Sequence, residues 1–150
     1  MKRRFGSLLI RTLRGGANLS DEEHFLLQSL VDALPSELRS VVSAQFKSYN
    51  LVQREQDGRA LNFHRVPLVG KPIPPGRLLE MKLDEAPLVG VVAQIKGETR
   101  PLHATLAAVH GRAFAVAFDR PVPRVGASAL GVTKVSHSWR SNFRDSDADA

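Results

Sequence analysis

The sequence predicts an α+β fold: two N-terminal helices packed on an antiparallel meander sheet of about five to six strands. Three observations predict it. Apolar residues between Ser20 and Tyr49 recur at helical spacing. Beyond Asn50 the pattern changes to short apolar runs separated by Gly, Pro and Asp-Gly turn signals. A chain of 150 residues with 43% hydrophobic and 24% charged residues has the usage of one ordinary globular domain.

The first helix starts at Ser20, an N-cap whose partner in a capping box is Glu23, three residues on. Asp21 and Glu22 place negative charge at the positive end of the helix dipole. Leu26, Leu27, Leu30, Val31 and Leu34 form its apolar stripe, and Pro35 disfavours helical geometry at Leu34. A second stripe runs through Leu38, Val41, Val42, Phe46 and Tyr49. The two stripes fit either two helices or one long kinked helix.

Asp57-Gly58 reads as a two-residue type I′ hairpin turn, which needs positive φ at both positions. That register sets Leu51 opposite His64 and Arg54 opposite Leu61. Val52, Leu61 and Phe63 then face the core, and Gln53, Glu55, Asn62 and His64 share the reverse face. The prolines of PLVGKPIPPG, residues 67–76, forbid regular pairing. Further strand candidates are residues 78–83, 87–97, 101–109 and 112–119, the last two joined by His110-Gly111. A simple register for that hairpin gives Thr105, Ala107, Val109, Phe114, Val116 and Phe118 as the core face. It leaves Ala104, Leu106, Ala108, Ala113, Ala115 and Ala117 outside, an unusually apolar outer face that a partner would cover.

The domain organisation expected is a basic flexible arm over residues 1–17, one α+β domain over 18–135, and a disordered or loosely docked tail over 136–150. The net charge is +6, and residues 1–20 hold five bases and no acid. The basicity therefore belongs largely to the arm and not to a face of the fold. The arm's Leu8, Leu9, Ile10 and Leu13 lie on one side if it turns helical against an anionic surface. There is no cysteine, which excludes disulfides and thiolate metal sites and fits a reducing, cytoplasmic setting. No apolar run is long enough to span a bilayer.

Catalytic signatures are lacking. There is no phosphate loop, dinucleotide fingerprint, nucleophile elbow or H-E-x-x-H, and the five histidines are dispersed. The chain is read as a non-enzyme without cofactor or metal. Binding candidates are Arg54, Arg59 and Arg65, whose guanidinium forks suit anions, and Asn62 and His64, with His103 converging only if the fold allows. Trp139 and Arg140, within HSWRSNFR, interleave an aromatic with a base, the pattern of a stacking platform. Trp139 equally serves as an anchor tucked onto the domain. Pro72 and Pro75 have the P-x-x-P spacing of a groove ligand or of a rigid connector. The preferred function is a protein-binding or adaptor domain acting through its sheet face or an edge strand, self-association included. Nucleic-acid or anionic-surface binding through the arm and the Arg-rich hairpin stands second. A small-ligand pocket centred on the first hairpin stands third.

Overall fold

The computed structural model describes residues 19–65 and 76–141. The arm, the Pro72–Pro75 segment and the last nine residues lie outside that range. Two helices, α1 (Asp21–Asp32) and α2 (Ser36–Ser48), precede six strands: β1 (Leu51–Arg54), β2 (Ala60–His64), β3 (Glu85–Ile95), β4 (Leu102–Val109), β5 (Arg112–Phe118) and β6 (Leu130–Ser136). The strands make one antiparallel sheet in the order β1-β2-β5-β4-β3-β6. The fold is α+β, with the N-terminal helices laid on an antiparallel meander, as the sequence predicts.

The helices follow from their ends. The capping box forms: Glu23 N donates to Ser20 Oγ (3.2 Å), and Ser20 N donates to Glu23 Oε1 (2.8 Å). Pro35 is the N-cap of α2, so the stripes belong to two helices. The Arg39 guanidinium donates to Leu34 O (2.8 and 3.2 Å) and Asp32 O (3.0 Å), satisfying carbonyls that α1 leaves open at its C-terminus. The stripes pack on the sheet, α1 against β3 and β4 and α2 against β5. Phe46 meets Phe63 edge-on at 4.9 Å between ring centroids, a favourable aromatic geometry at the centre of the core.

The first hairpin keeps the predicted register from Leu51↔His64 to Arg54↔Leu61, but its turn differs. Gly58 has φ +71°, and Asp57 does not have positive φ. Gly58 N donates to Glu55 O (3.0 Å), and Asp57 Oδ1 accepts from Arg59 N (3.0 Å), so the loop is a longer turn stabilised by the aspartate side chain. At the second hairpin His110 (φ +49°) and Gly111 (φ +81°) both take positive φ, as a two-residue turn demands.

The faces of β4 and β5 are the principal correction. Ala108 pairs with Ala113, but Ala107 pairs with Ala115, so Phe114 is an extra residue in β5. Beyond that bulge every pair moves by one residue: Leu106↔Val116, Thr105↔Ala117, Ala104↔Phe118. Ala104, Leu106, Ala108 and Ala113 are core residues, and Thr105, Ala107 and Val109 face outward. Val116 and Phe118 stay in the core, while Ala115 and Ala117 stay outside.

Two further strands depart from expectation. Residues 78–83 make only an isolated bridge at Met81, because Leu79 and Met81 bind the turn instead. Leu79 N donates to Gly111 O (2.8 Å), and Gly111 N donates to Met81 Sδ (3.2 Å). A Cβ on Gly111 would lie 2.8 Å from Leu79 O, so close approach as well as positive φ requires glycine there. β6 had no predicted counterpart. A short 3₁₀ turn, Ser138–Ser141, follows it and packs against β3.

Candidate functional site

The helices cover one face of the sheet. On the other, β-pairing aligns small residues into rows that cross the strands. One row is Ala60, Ala117, Thr105 and Gly90, on β2, β5, β4 and β3 in turn. The next is Asn62, Ala115, Ala107 and Pro87 on the same four strands. Ala117 and Pro87 are exposed, and Ala60, Thr105, Asn62, Ala115 and Ala107 are half-buried. At Gly90 the fit is close: a Cβ would stand 2.6 Å from Ser136 Oγ, which leans over it from β6. The result is a shallow trough with a floor of small side chains.

A ridge runs beside the trough. His64 and Phe114 form its crest, meeting edge-on at 5.2 Å between centroids, and Val109 continues it on β4, paired with Arg112 and Glu85. The ridge exists because of the bulge. An extra residue on β5 puts Phe114 and Ala115 on the same side of the sheet, where regular alternation would put one of them inside.

The backbone at the bulge is held from the other side by α2. Gln45, buried, accepts from Ala113 N at Oε1 (2.8 Å) and donates from Nε2 to Gly111 O (2.9 Å) and Arg77 O (3.0 Å). The Tyr49 hydroxyl donates to Ala113 O. Burial pushes the Tyr49 phenol up to about 12, only partly opposed by the Arg112 charge, so it stays a donor at any ordinary pH. These two side chains, one on α2 and one at its C-cap, satisfy both backbone groups of Ala113.

The predicted hairpin residues separate. Arg54 points to the helix side and makes a forked ion pair with Glu23, the buried carboxylate of the α1 capping box. It is thereby a structural residue that ties β1 to α1. Arg59 is exposed on the turn. Arg65, also exposed, borders a cleft on the helix side of the sheet. Asn62 Nδ2 donates to Glu55 Oε1 (2.8 Å), and Gln53 beside it is exposed; both lie on the outer face with His64. His103 does not meet His64. It is level with Asp119, five residues along β4 from Ala108 and two strands away from β2, roughly 16 Å along the strand. Among the described residues no three His, Asp or Glu side chains form a metal-binding group.

Trp139 is half-buried and packs against the core, with the Arg140 guanidinium 5.5 Å over its ring. The His137 ring lies edge-on at 6.1 Å. One face of the indole is thus occupied within the chain, which removes half of a stacking platform. No helix among the described residues is long and apolar enough to cross a membrane.

The trough and Gln45 were missed at the sequence level. A buried glutamine has no pattern signal on an amphipathic helix, and the trough depends on a bulge that the apolar run RAFAVAF does not mark. Comparisons of the chain with protein-family models, curated protein sequences and solved structures find no significant match.

Proposed function

We propose that this chain is a non-catalytic protein-binding domain that docks through the outer face of its sheet, and that the partner this face fits is a second copy of the chain. The observation that supports it is the ridge of His64, Phe114 and Val109 lying parallel to the trough floored by Ala60, Ala107, Ala115 and Ala117. A surface with a ridge beside a trough is self-complementary. A two-fold axis running between them, along the rows, sets the ridge of each copy into the trough of the other. Phe114 then sits over Ala115 and Ala117 of the second copy, and Val109 over Ala107 and Thr105. Sheets stacked this way bury side chains from both faces between them.

The edges of the sheet fit docking less well than the face. β1, one edge, has only four residues. β6, the other, is bulged at Thr133, between the pairs Val92↔Lys134 and Ala93↔Val132, and carries a lysine next to it. Short length, bulges and lysine are devices that discourage strand addition.

The scale of the contact is set by geometry. Four strands at about 4.8 Å spacing over roughly 17 Å of strand give a face on the order of 300 Å². Two such faces bury less than the roughly 1,200 Å² of a standard stable interface, which places the association among the small, transient ones. Sedimentation velocity over a wide concentration series tests it. The native chain is expected to shift reversibly from monomer to dimer as concentration rises, and Ala115→Lys to remain monomeric with an unchanged circular dichroism spectrum. A chain that stays monomeric into the millimolar range, or an Ala115→Lys variant that dimerises as the native chain does, contradicts the proposal.

A further inference from the structure

On the helix side of the sheet, at the far side from the trough, a cleft of about 80 Å³ opens between the end of α2 and the start of β5. Three arginines border it: Arg65 just after β2, Arg77, and Arg112 at the first position of β5. They come from three separate segments of the chain. All three are exposed, and none makes an ion pair among the described residues. Three other arginines are engaged within the fold: Arg39 on the α1 carbonyls, Arg54 on Glu23, and Arg120 on Glu98 at 2.7 Å. Among the described residues no carboxylate lines the cleft. The C-terminal end of α2 lies beside it and contributes about half a negative charge, which leaves three guanidinium charges largely uncompensated.

The neutral groups of the cleft are already committed. Gln45 uses both ends of its amide on Ala113, Gly111 and Arg77 backbone groups. The Ser48 hydroxyl donates to Gln45 O (2.6 Å), and the Tyr49 hydroxyl to Ala113 O. The guanidinium groups are what remains for recognition. They are donors only, and their planar forks match tetrahedral or planar oxyanions bidentately. The cleft is open to solvent on one side and has room for one oxyanion group, with anything attached to it projecting outward.

We infer that this cleft binds a phosphate group, either as inorganic phosphate or as the head of a phosphate monoester. The cleft lies at the end of α2 and the docking face on the other side of the sheet; Arg112 is the strand partner of the ridge residue Val109, so Arg77→Gln is the variant that separates the two. It is tested by amide NMR titration of the full chain at constant ionic strength and slightly alkaline pH, with inorganic phosphate, phenyl phosphate, and sodium chloride as the comparison. Both phosphates are expected to give saturable shifts at Gly111, Arg112, Leu78 and the Gln45 side-chain amide where chloride gives none. A phenyl phosphate affinity equal to or above that of inorganic phosphate identifies the ester as the ligand, and the reverse order identifies the free anion. Arg77→Gln and Arg112→Gln are each expected to weaken binding by roughly tenfold, since each removes one charged, forked donor. Lys96→Gln, at the opposite end of the sheet beside Gly97, removes the same charge and is expected to leave the affinity unchanged. Shifts that fail to saturate or that chloride reproduces would overturn the inference. So would an affinity that neither arginine variant alters; the native titration decides the matter even if a variant misfolds.

Discussion

The two faces of β4 and β5 differ by little in composition and by a great deal in role. Inside, Leu106 and Val116 pair beneath α1 and α2, and both are essentially inaccessible. Outside, Ala107 and Ala115 pair one step along the same strands and remain half-exposed. Around these pairs both faces are mostly apolar, the outer one broken by Thr105 and, toward the strand ends, by His103 and Arg112. The inner one is large and interdigitated, and the outer one is small and flat apart from a ridge. Hydrophobicity alone therefore does not tell core from docking surface in this sheet; side-chain size and the position of one bulge do.

The contrast can be broken hardest from the inside. Leu106→Ala is expected to destabilise the fold by about 2–5 kcal/mol in denaturant unfolding, because it opens a cavity in a packed core. Val109→Ala, three residues along the strand and on the outer face, is expected to cost roughly 1 kcal/mol or less, because its site already meets solvent. Equal losses for the two would erase the distinction between the faces.

Next come the side chains that hold the bulge. Gln45→Ala leaves the Ala113 amide and the Arg77 carbonyl without their partner and removes one of the two donors to Gly111 O, the other being Leu79 N, and about 2–3 kcal/mol of stability should be lost. Tyr49→Phe removes one bond to Ala113 O and is expected to cost about 1–2 kcal/mol. The same hydroxyl predicts an alkaline limb. Its folded value, about 12, lies above the ordinary 10, so its contribution is complete below pH 10 and is lost as pH rises through 12. Stability measured across that window should fall in the native chain and fall less in Tyr49→Phe.

On the acid side two α1 groups act together. Burial pushes the Glu22 carboxyl up, but backbone N–H donors of Glu22 and Gly126, the Ser20 side chain and the Arg124 charge outweigh it and hold it below 4.5. Burial lowers His24 below 6.5, against the raising effect of Asp21 and Glu23. Both folded values are depressed. The histidine's contribution is present above about pH 6.5 and the glutamate's above about pH 4.5, and each is lost on acidification through the folded value. Denaturant midpoints should fall in two steps as pH drops, with the upper step missing in His24→Gln.

Much of the fold is legible in the residues. Ser20 and Glu23 announce the first helix, because a capping box has few other uses before an apolar stripe. The register of β1–β2 is legible because polar residues on one face and Val52, Leu61 and Phe63 on the other penalise a slip. In β5 that signal is absent: RAFAVAF is apolar on both sides, so an extra residue at Phe114 leaves no polar residue misplaced. β6 escapes for the opposite reason. Most of LGVTKVS is exposed at the sheet edge, and little burial pattern is written into it. The arginine cleft needs Arg65, Arg77 and Arg112 brought together from distant segments, which no local pattern encodes.

The alanines themselves report on both faces of the same strands. In a chain carrying labelled alanine methyl groups, spectra from dilute to concentrated protein test the docking face directly. The methyls of Ala60, Ala107, Ala115 and Ala117 are predicted to move together with concentration, while those of Ala104, Ala108 and Ala113 stay fixed. Methyl positions independent of concentration, or inner methyls that move as much as the outer ones, would contradict a sheet with one face for the core and one for a partner.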